Sequence, residues 1–508
     1  MLSSRISTSS LDDSQNNGNS RKRTAVTLIL LLVCSLAFAL YKSDSAYTSD
    51  EVWSIQAASL DYASLMETLK ADVHPPLYYQ LLYGWLHLFG PGERAVRSLS
   101  GLFYVLSVFG VYGIGRALYG NKTALLCAAI YLSSPLAILS AQFARMYALL
   151  SLLSILSTWL YLQFAVKLHD SRLRLVLYIV VSILGTFTHI AFFFVLFAQI
   201  VFHLLFFRRI RTIRFAAAVL VSLLPYTFLW APVLIRQLSQ SNEGIAWVSK
   251  PDLYMGAELI LLYGGVLWLL IPVLLYLWWR SGCEPLSQFS QLRVTSLPLW
   301  LLAIAILTPL LISHAKPIFN ARLAIIGLHL FALTVGAIVG TKTHHFLALS
   351  LVLLTALGLT AFHPPDATCD NRSMAAYLNR AANNGDAVIF TSLTRMPIDH
   401  YLKQASITKE LLETSFPAEI DEHPGYEGRI TDPNRRPALE RESRELMERI
   451  ARISAGHRIF FFRGAHPEID RILEKALQER FELIPGEGVK CELSPYFKEV
   501  SVYRLLGQ

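Results

Sequence analysis

Between Thr24 and Phe362 the chain carries about eleven apolar stretches of roughly 18–25 residues, each long enough to cross a hydrocarbon core of about 30 Å. They fall near Thr24–Tyr41, Val96–Tyr119, Thr123–Ala141, Tyr147–Lys167, Leu173–His189, Ile190–Phe207, Phe215–Ile235, Tyr254–Trp279, Val294–Ser313, Leu323–Gly340 and Phe346–Phe362. The expected fold is therefore an α-helical polytopic membrane bundle of about 11 spans, followed by a small α/β extracytoplasmic domain. Composition agrees, because 54% of the 508 residues are hydrophobic and only 16% are charged, against about 25% in soluble domains.

Three segments follow from this pattern. Residues 1–23, rich in Ser and Asn, read as a disordered cytoplasmic tail. The transmembrane part is 24–363, with a first external loop at 42–95. Residues 364–508 form the C-terminal domain. Arg21-Lys22-Arg23 before an apolar run is also how a signal peptide begins, but the run is long for a signal core and reads as an uncleaved anchor.

Lys and Arg in short loops mark the cytoplasmic side of a multi-pass protein. With the N-terminus cytoplasmic, that side receives Arg116, Lys122, Lys167, Arg172, Arg174, Arg208, Arg209, Arg211, Arg214, Arg280, Arg293 and Lys342. The opposite turns hold few Lys or Arg, the exceptions being Arg145, Arg236, Lys250, Lys316 and Arg322. The expected location is a plasma membrane of bacterial inner-membrane type, with the first long loop and the C-terminal domain outside. The net charge of +8 belongs to these anchoring loops, so membrane lipids are expected partners and nucleic acid is not.

After Pro364 the pattern changes to that of a soluble module. It predicts helices at Arg372–Asn383, Pro397–Gln404, Leu439–Ser454 and Glu468–Arg480. Strands are expected at Ala387–Thr391, Arg458–Phe462, Phe481–Ile484 and Glu499–Leu505, with a polar loop over Ser415–Pro437. Of the five cysteines, Cys369 and Cys491 share this domain and can either pair or stay separate thiols, while Cys283 falls in a cytoplasmic loop. No Cys/His spacing suggests a zinc site.

Polar residues cluster at one face. Asp50-Glu51 follows the first span and precedes an amphipathic segment, Val52–Lys70. Asp50 could serve as general base or hold a divalent cation, or it could cap that helix. Glu51 could assist it or favour the helix N-terminus. His74 stands before Pro75-Pro76, in a turn whose φ angles the prolines restrict. Asp72 could orient His74 or cap the Pro-containing helix start, the cap being favoured. His189, inside an apolar stretch, is expected to face the bundle as a neutral, hydrogen-bonded histidine. The segment Gln237–Pro251 could gate a site or be an ordinary loop.

The order of these motifs is recognisable. Thr48-Ser49-Asp50-Glu51, Asp72-Val73-His74-Pro75-Pro76-Leu77-Tyr78-Tyr79 and Gly92-Glu93-Arg94-Ala95-Val96-Arg97-Ser98-Leu99-Ser100-Gly101 resemble the start of membrane-embedded C-type glycosyltransferases. The likeness is closest to bacterial family 39, with protein O-mannosyltransferases and lipid A aminoarabinose transferases more distant. Ala144-Arg145-Met146-Tyr147 and Lys316-Pro317-Ile318-Phe319-Asn320-Ala321-Arg322 extend it. The resemblance implies transfer of a sugar from a polyprenyl-phosphate donor to an unidentified acceptor (glycan, lipid or protein) on the extracytoplasmic face. No cofactor is required by it, though a divalent cation at Asp50 is compatible with it.

On that reading Asp50, Glu51 and His74 are the catalytic candidates. The external-side cations Arg97, Arg145, Lys316 and Arg322 would bind the donor phosphate, or else snorkel to headgroups. Asp72 and Tyr147 are substrate-binding candidates, although Tyr147 also suits the interfacial aromatic belt. The competing expectations are a transporter or flippase of polyprenyl-linked sugars, or a non-catalytic envelope-assembly protein. No internal repeat, and polar residues gathered at one face, favour the enzyme.

Overall fold

The computed structural model describes residues 24–506 except 73, 167–170, 208, 241–247, 249, 271, 273–295, 340–343, 362–368, 406–408, 422–432, 454–455, 465 and 492–498. The tail 1–23, Cys283 and most of the candidate gate 237–251 lie outside the described residues.

Each of the eleven apolar stretches is helical over most of its described part. Helix α1 is Thr24–Leu40. The first loop then forms α2 (Ser49–Ala58), α3 (Tyr62–Ala71) and α4 (Leu77–Phe89). The bundle continues with α5 (Glu93–Tyr119), α6 (Asn121–Leu132), α7 (Pro135–Ala141), α8 (Tyr147–Tyr161), α9 (Arg172–Thr186), α10 (Phe192–Phe206) and α11 (Arg209–Leu229). It closes with α12 (Ala231–Gln240), α13 (Leu253–Gly264), α14 (Leu297–Ala315), α15 (Ile325–Val339) and α16 (His344–Ala361).

Among the described residues, six helices are long and apolar enough to cross a bilayer, or seven if a bent pair counts as one span. That pair is α6 and α7, set at 63°. The expected continuous span Thr123–Ala141 is thus broken, because Ser133 and Ser134 interrupt it and Pro135 begins α7 without a backbone N–H to continue the ladder. Helix α6 buries every residue from Thr123 to Leu132 and forms the centre of the bundle. The helix Thr212–Leu229, by contrast, is only 28% buried and presents side chains such as Phe228 outward, as a lipid-facing helix does.

The predicted single amphipathic helix Val52–Lys70 is two helices. Ser59 ends α2, and Asp61 starts α3 by accepting hydrogen bonds from the N–H groups of Ala63 and Ser64. The cap of α2 is Thr48, whose hydroxyl accepts from Glu51 N–H while the Glu51 carboxylate accepts from Thr48 N–H. Asp50 is therefore released from the capping role.

The C-terminal unit is a five-stranded mixed sheet between helices. Its elements are α17 (Asn371–Ala381), β1 (Ala387–Thr391), α18 (Arg395–Gln404), β2 (Leu412–Phe416), α19 (Arg436–Ile453), β3 (Ile459–Arg463), α20 (Pro467–Gln478), β4 (Phe481–Lys490) and β5 (Glu499–Leu505). The strand order is β2-β1-β3-β5-β4. Strand β1 runs parallel to both neighbours, with Ala387 opposite Leu412 and Ile459, whereas β5 is antiparallel to β3 and β4. Strand β2 was not anticipated, since the sequence pattern starts a polar loop at Ser415. It is a five-residue edge strand with Glu413 and Thr414 only half-buried, so it lacks the apolar run that marks β1. Cys369 and Cys491 form a disulfide, with Cα atoms 5.7 Å apart and a sequence separation of 122.

This unit sits directly on the first loop. Tyr401 Oη accepts from Tyr47 N–H at 2.8 Å and donates to Glu93 at 2.9 Å. Asn371 donates to Tyr47 O at 2.7 Å, and Ser49 Oγ donates to Leu393 O at 2.8 Å. The segment leading into α2 is thereby held from the side opposite the membrane bundle.

Candidate active site

Consecutive helical residues project about 100° apart, so Asp50 and Glu51 cannot face the same way on α2. Glu51 points into the protein and is fully buried. Its carboxylate takes a fork from Arg97, with Nε to Oε1 and Nη2 to Oε2 both 2.8 Å, plus Ala144 N–H at 3.0 Å and Thr48 N–H at 3.0 Å. Arg97 is equally enclosed. Its remaining donors go to the carbonyls of Ser43, Ser45 and Ala46, and its guanidinium lies 5.2 Å from the Tyr47 ring centre. This buried pair ties together α2, the start of α5 and the link between α7 and α8. Arg97, a candidate for the donor phosphate, is thus fully engaged within the protein wall.

Asp50 faces outward into a cleft, its side chain 40% exposed. Arg322 Nη1 donates to Oδ2 at 3.0 Å. Partial burial works against ionisation, but Arg145 and Arg322 outweigh it and hold the carboxyl below its ordinary range. Arg322 belongs to the short 3-10 turn Ala321–Ala324 that leads into α15, and Asn320 caps that turn by accepting from Leu323 N–H. The Ser313 hydroxyl accepts from the N–H groups of Ile318 and Phe319, pinning the preceding chain. Lys316, from the same motif, is the C-cap of α14; it is exposed, and its ammonium makes no bond among the described residues.

Arg145 is the second cation at Asp50, and it is buried, only 7% exposed. It lies in the link before α8, next to the Ala144 N–H that Glu51 holds. Its Nη1 donates to Ser54 at 3.3 Å, and its guanidinium lies 5.9 Å from the Trp53 ring and 6.0 Å from the Tyr79 ring. Its Nε finds no acceptor among the described residues. Asp50, Trp53 and Ser54 lie three and four residues apart, hence on one face of α2. Trp53 and Tyr79 were missed by the sequence reading; the available signals were Trp53 at that spacing and Tyr79 three residues beyond the proline pair.

Behind this cleft lie two histidines. The Leu77 N–H at the head of α4 donates to Phe187 O at 3.0 Å, bringing the His74 turn against the turn between α9 and α10. The rings of His74 and His189 are 5.6 Å apart. Loss of water, then the charge of Arg145, hold His74 well below its usual pKa, so it is a neutral imidazole.

Two expectations are corrected here. Asp72 does not cap the Pro-containing helix: it closes α3, its N–H donating to Thr68 O at 3.2 Å, and Pro76 stands at the head of α4. Tyr147 is not in an outer aromatic belt; it is 7% exposed, stacked on Phe143 at 6.3 Å and beside His189 at 6.3 Å. Asp50, Arg145, Arg322, His74 and Tyr147 are brought to one cleft, whereas Glu51 and Arg97 form its wall and Lys316 is exposed without a bond to any of them.

The fold and the first-loop motifs are similar to those of membrane-embedded C-type glycosyltransferases. Residues 73–235 match the family model of dolichyl-phosphate-mannose-protein mannosyltransferases. The chain shares its fold with ArnT from Cupriavidus metallidurans bound to undecaprenyl phosphate, at TM-score 0.55 and 13% identity over 95% of this chain and 98% of that one. It is also similar to the archaeal oligosaccharyltransferase AglB from Archaeoglobus fulgidus, in complex with an inhibitory peptide and a dolichol-phosphate, at TM-score 0.50 and 10% identity over 87% and 70% of the two chains. No curated protein matches the sequence significantly.

Proposed function

We propose that this chain is an integral membrane glycosyltransferase that moves a sugar from a polyprenyl-phosphate donor to an acceptor on the extracytoplasmic face. The observation that carries the reading is an ionised carboxylate, Asp50, set against two guanidinium groups in one cleft, one of them buried with an unused donor. Such a cleft suits a reaction that removes a proton from a hydroxyl and leaves a phosphate behind. Asp50 accepts the acceptor's proton as the hydroxyl oxygen bonds to the anomeric carbon. The bond from that carbon to the phosphate oxygen breaks, and the electron pair stays on the phosphate, where Arg145 and Arg322 stabilise it. Attack from the face opposite the phosphate inverts the anomeric centre.

The other residues take supporting roles. Glu51 and Arg97 hold α2 and the Arg145 link at a fixed distance, and neutral His74 lines the back of the cleft. Tyr147 offers its hydroxyl beside Arg322. A divalent cation at Asp50 would polarise the acceptor hydroxyl. Among the described residues no three His, Cys, Asp or Glu side chains converge on one point, so such a cation would complete its shell with phosphate oxygens and water. The extracytoplasmic placement rests on the Lys/Arg bias of the loops.

The test is transfer by the purified full-length protein supplied with polyprenyl-phosphate sugars, wild type against Asp50→Asn. Transfer lost in the variant supports the reading. Transfer retained by Asp50→Asn removes Asp50 from the chemistry, and no turnover by wild type with any donor returns the chain to the transporter or assembly alternatives.

A further inference from the structure

His189 sits in the short turn between α9 and α10, outside both helices, and is 5% exposed. Its Nδ1 accepts a hydrogen bond from Ala191 N–H at 3.0 Å. A ring nitrogen that accepts carries no proton, so the ring is neutral and its one N–H is at Nε2. No acceptor for that N–H stands among the described residues. The ring packs at 5.6 Å from His74 and 6.3 Å from Tyr147, and it lies close enough to Arg145 to sense its charge. Arg145 is itself buried with an unused Nε–H. Two donors without acceptors among the described residues, the Arg145 one enclosed and the His189 one near it, suit a ligand with several acceptor oxygens.

We propose that His189 donates its Nε2–H to a phosphate oxygen of the polyprenyl-phosphate carrier, alongside Arg145. This rests on the glycosyltransferase reading and adds a residue to it. A neutral donor has a physical advantage here. A second cation so near Arg145 would be repelled when the site is empty, whereas an imidazole held neutral by the Ala191 bond adds a hydrogen bond without charge. The turn also fixes the ring: Ala191 holds one edge, and the Leu77 to Phe187 bond anchors the turn to α4.

The experiment measures binding of undecaprenyl phosphate to the full-length protein in detergent, with inorganic phosphate as control, and sugar transfer on the same samples. His189→Phe keeps the ring shape and removes the donor; His189→Gln places an amide N–H near the Nε2 position. The expected result is at least about tenfold weaker binding for His189→Phe and recovery to within about threefold for His189→Gln. The ratio of wild-type to Gln affinity should stay constant from roughly pH 5 to 8, since no charge on His189 is involved. Wild-type affinity rising below about pH 6.5 relative to the Gln variant would show a cation and overturn the proposal. Equal binding by wild type and His189→Phe, with transfer by wild type intact, overturns it while leaving the function standing. Absence of both binding and transfer in wild type removes the function and this proposal together.

Discussion

Asp50 and Glu51 are adjacent in sequence and chemically alike, yet their geometry assigns them opposite consequences when neutralised. In Glu51→Gln one carboxylate oxygen becomes an NH2 group. Each Glu51 oxygen accepts two donors, Arg97 Nε and Ala144 N–H at Oε1, and Arg97 Nη2 and Thr48 N–H at Oε2. Whichever way the amide turns, two donors then face a donor, and Arg97 is left charged at 3% exposure. Breaking a buried pair in this way costs about 3–5 kcal/mol. In Asp50→Asn the lost partner is Arg322, and the two side chains are 40% and 53% exposed, so solvent screening limits the cost to about 0–1 kcal/mol. Thermal unfolding of the detergent-solubilised variants should show Glu51→Gln melting well below wild type and Asp50→Asn close to it. Transfer per folded molecule should fall by about 100-fold or more in Asp50→Asn. Equal melting temperatures for wild type and Glu51→Gln, or an Asp50→Asn variant as unstable as Glu51→Gln, would refute the division between cleft and wall.

Three further outcomes are expected. Because Arg145 and Arg322 depress the Asp50 pKa, its carboxylate is present above that lowered value and lost only as pH falls through it. The acid limb due to Asp50 should therefore lie below the ordinary aspartate value of about 3.9, and an acid limb near pH 6 that vanishes in Asp50→Glu would contradict the assignment. Arg145→Lys keeps the charge but loses the planar fork, and should weaken binding of undecaprenyl phosphate by about tenfold, while Lys316→Ala should leave it within about twofold; titration of both variants checks this. Reducing the Cys369–Cys491 bond should lower the stability of the C-terminal unit by about 2–4 kcal/mol, read as a fall in denaturant midpoint on adding a thiol reductant.

The apolar stretches were legible because span length follows directly from bilayer thickness, β1 and β3 because Ala387–Phe390 and Ile459–Phe462 are short apolar runs, and β5 because Val500, Val502 and Tyr503 are strand-favouring residues. The broken pair α6 and α7 was less so: Ser133, Ser134 and Pro135 are visible in the sequence, but their effect depends on neighbouring helices satisfying the interrupted backbone. Ser134 Oγ, for example, donates to Leu262 O at 2.9 Å, 128 residues away. The short edge strand β2 was invisible because its partner, β1, decides its conformation more than its own residues do.

At the site, residue types and rough location came from local chemistry: acidic residues after the first span, a histidine before two prolines, and cations on the side where cations are scarce. Which of them share a cleft did not. Arg97, Arg145 and Arg322 read alike along the chain, yet Arg97 is consumed by Glu51, Arg145 is enclosed beside Trp53 and Tyr79, and Arg322 reaches Asp50 from 272 residues away. The sequence by itself determined a helical membrane bundle and a polar cluster at one end, because bilayer thickness and helix geometry act on neighbouring residues. The tertiary structure alone decided that Asp50 faces the cleft and Glu51 the wall, since that depends on where the distant Arg97, Ala144 and Arg322 come to rest.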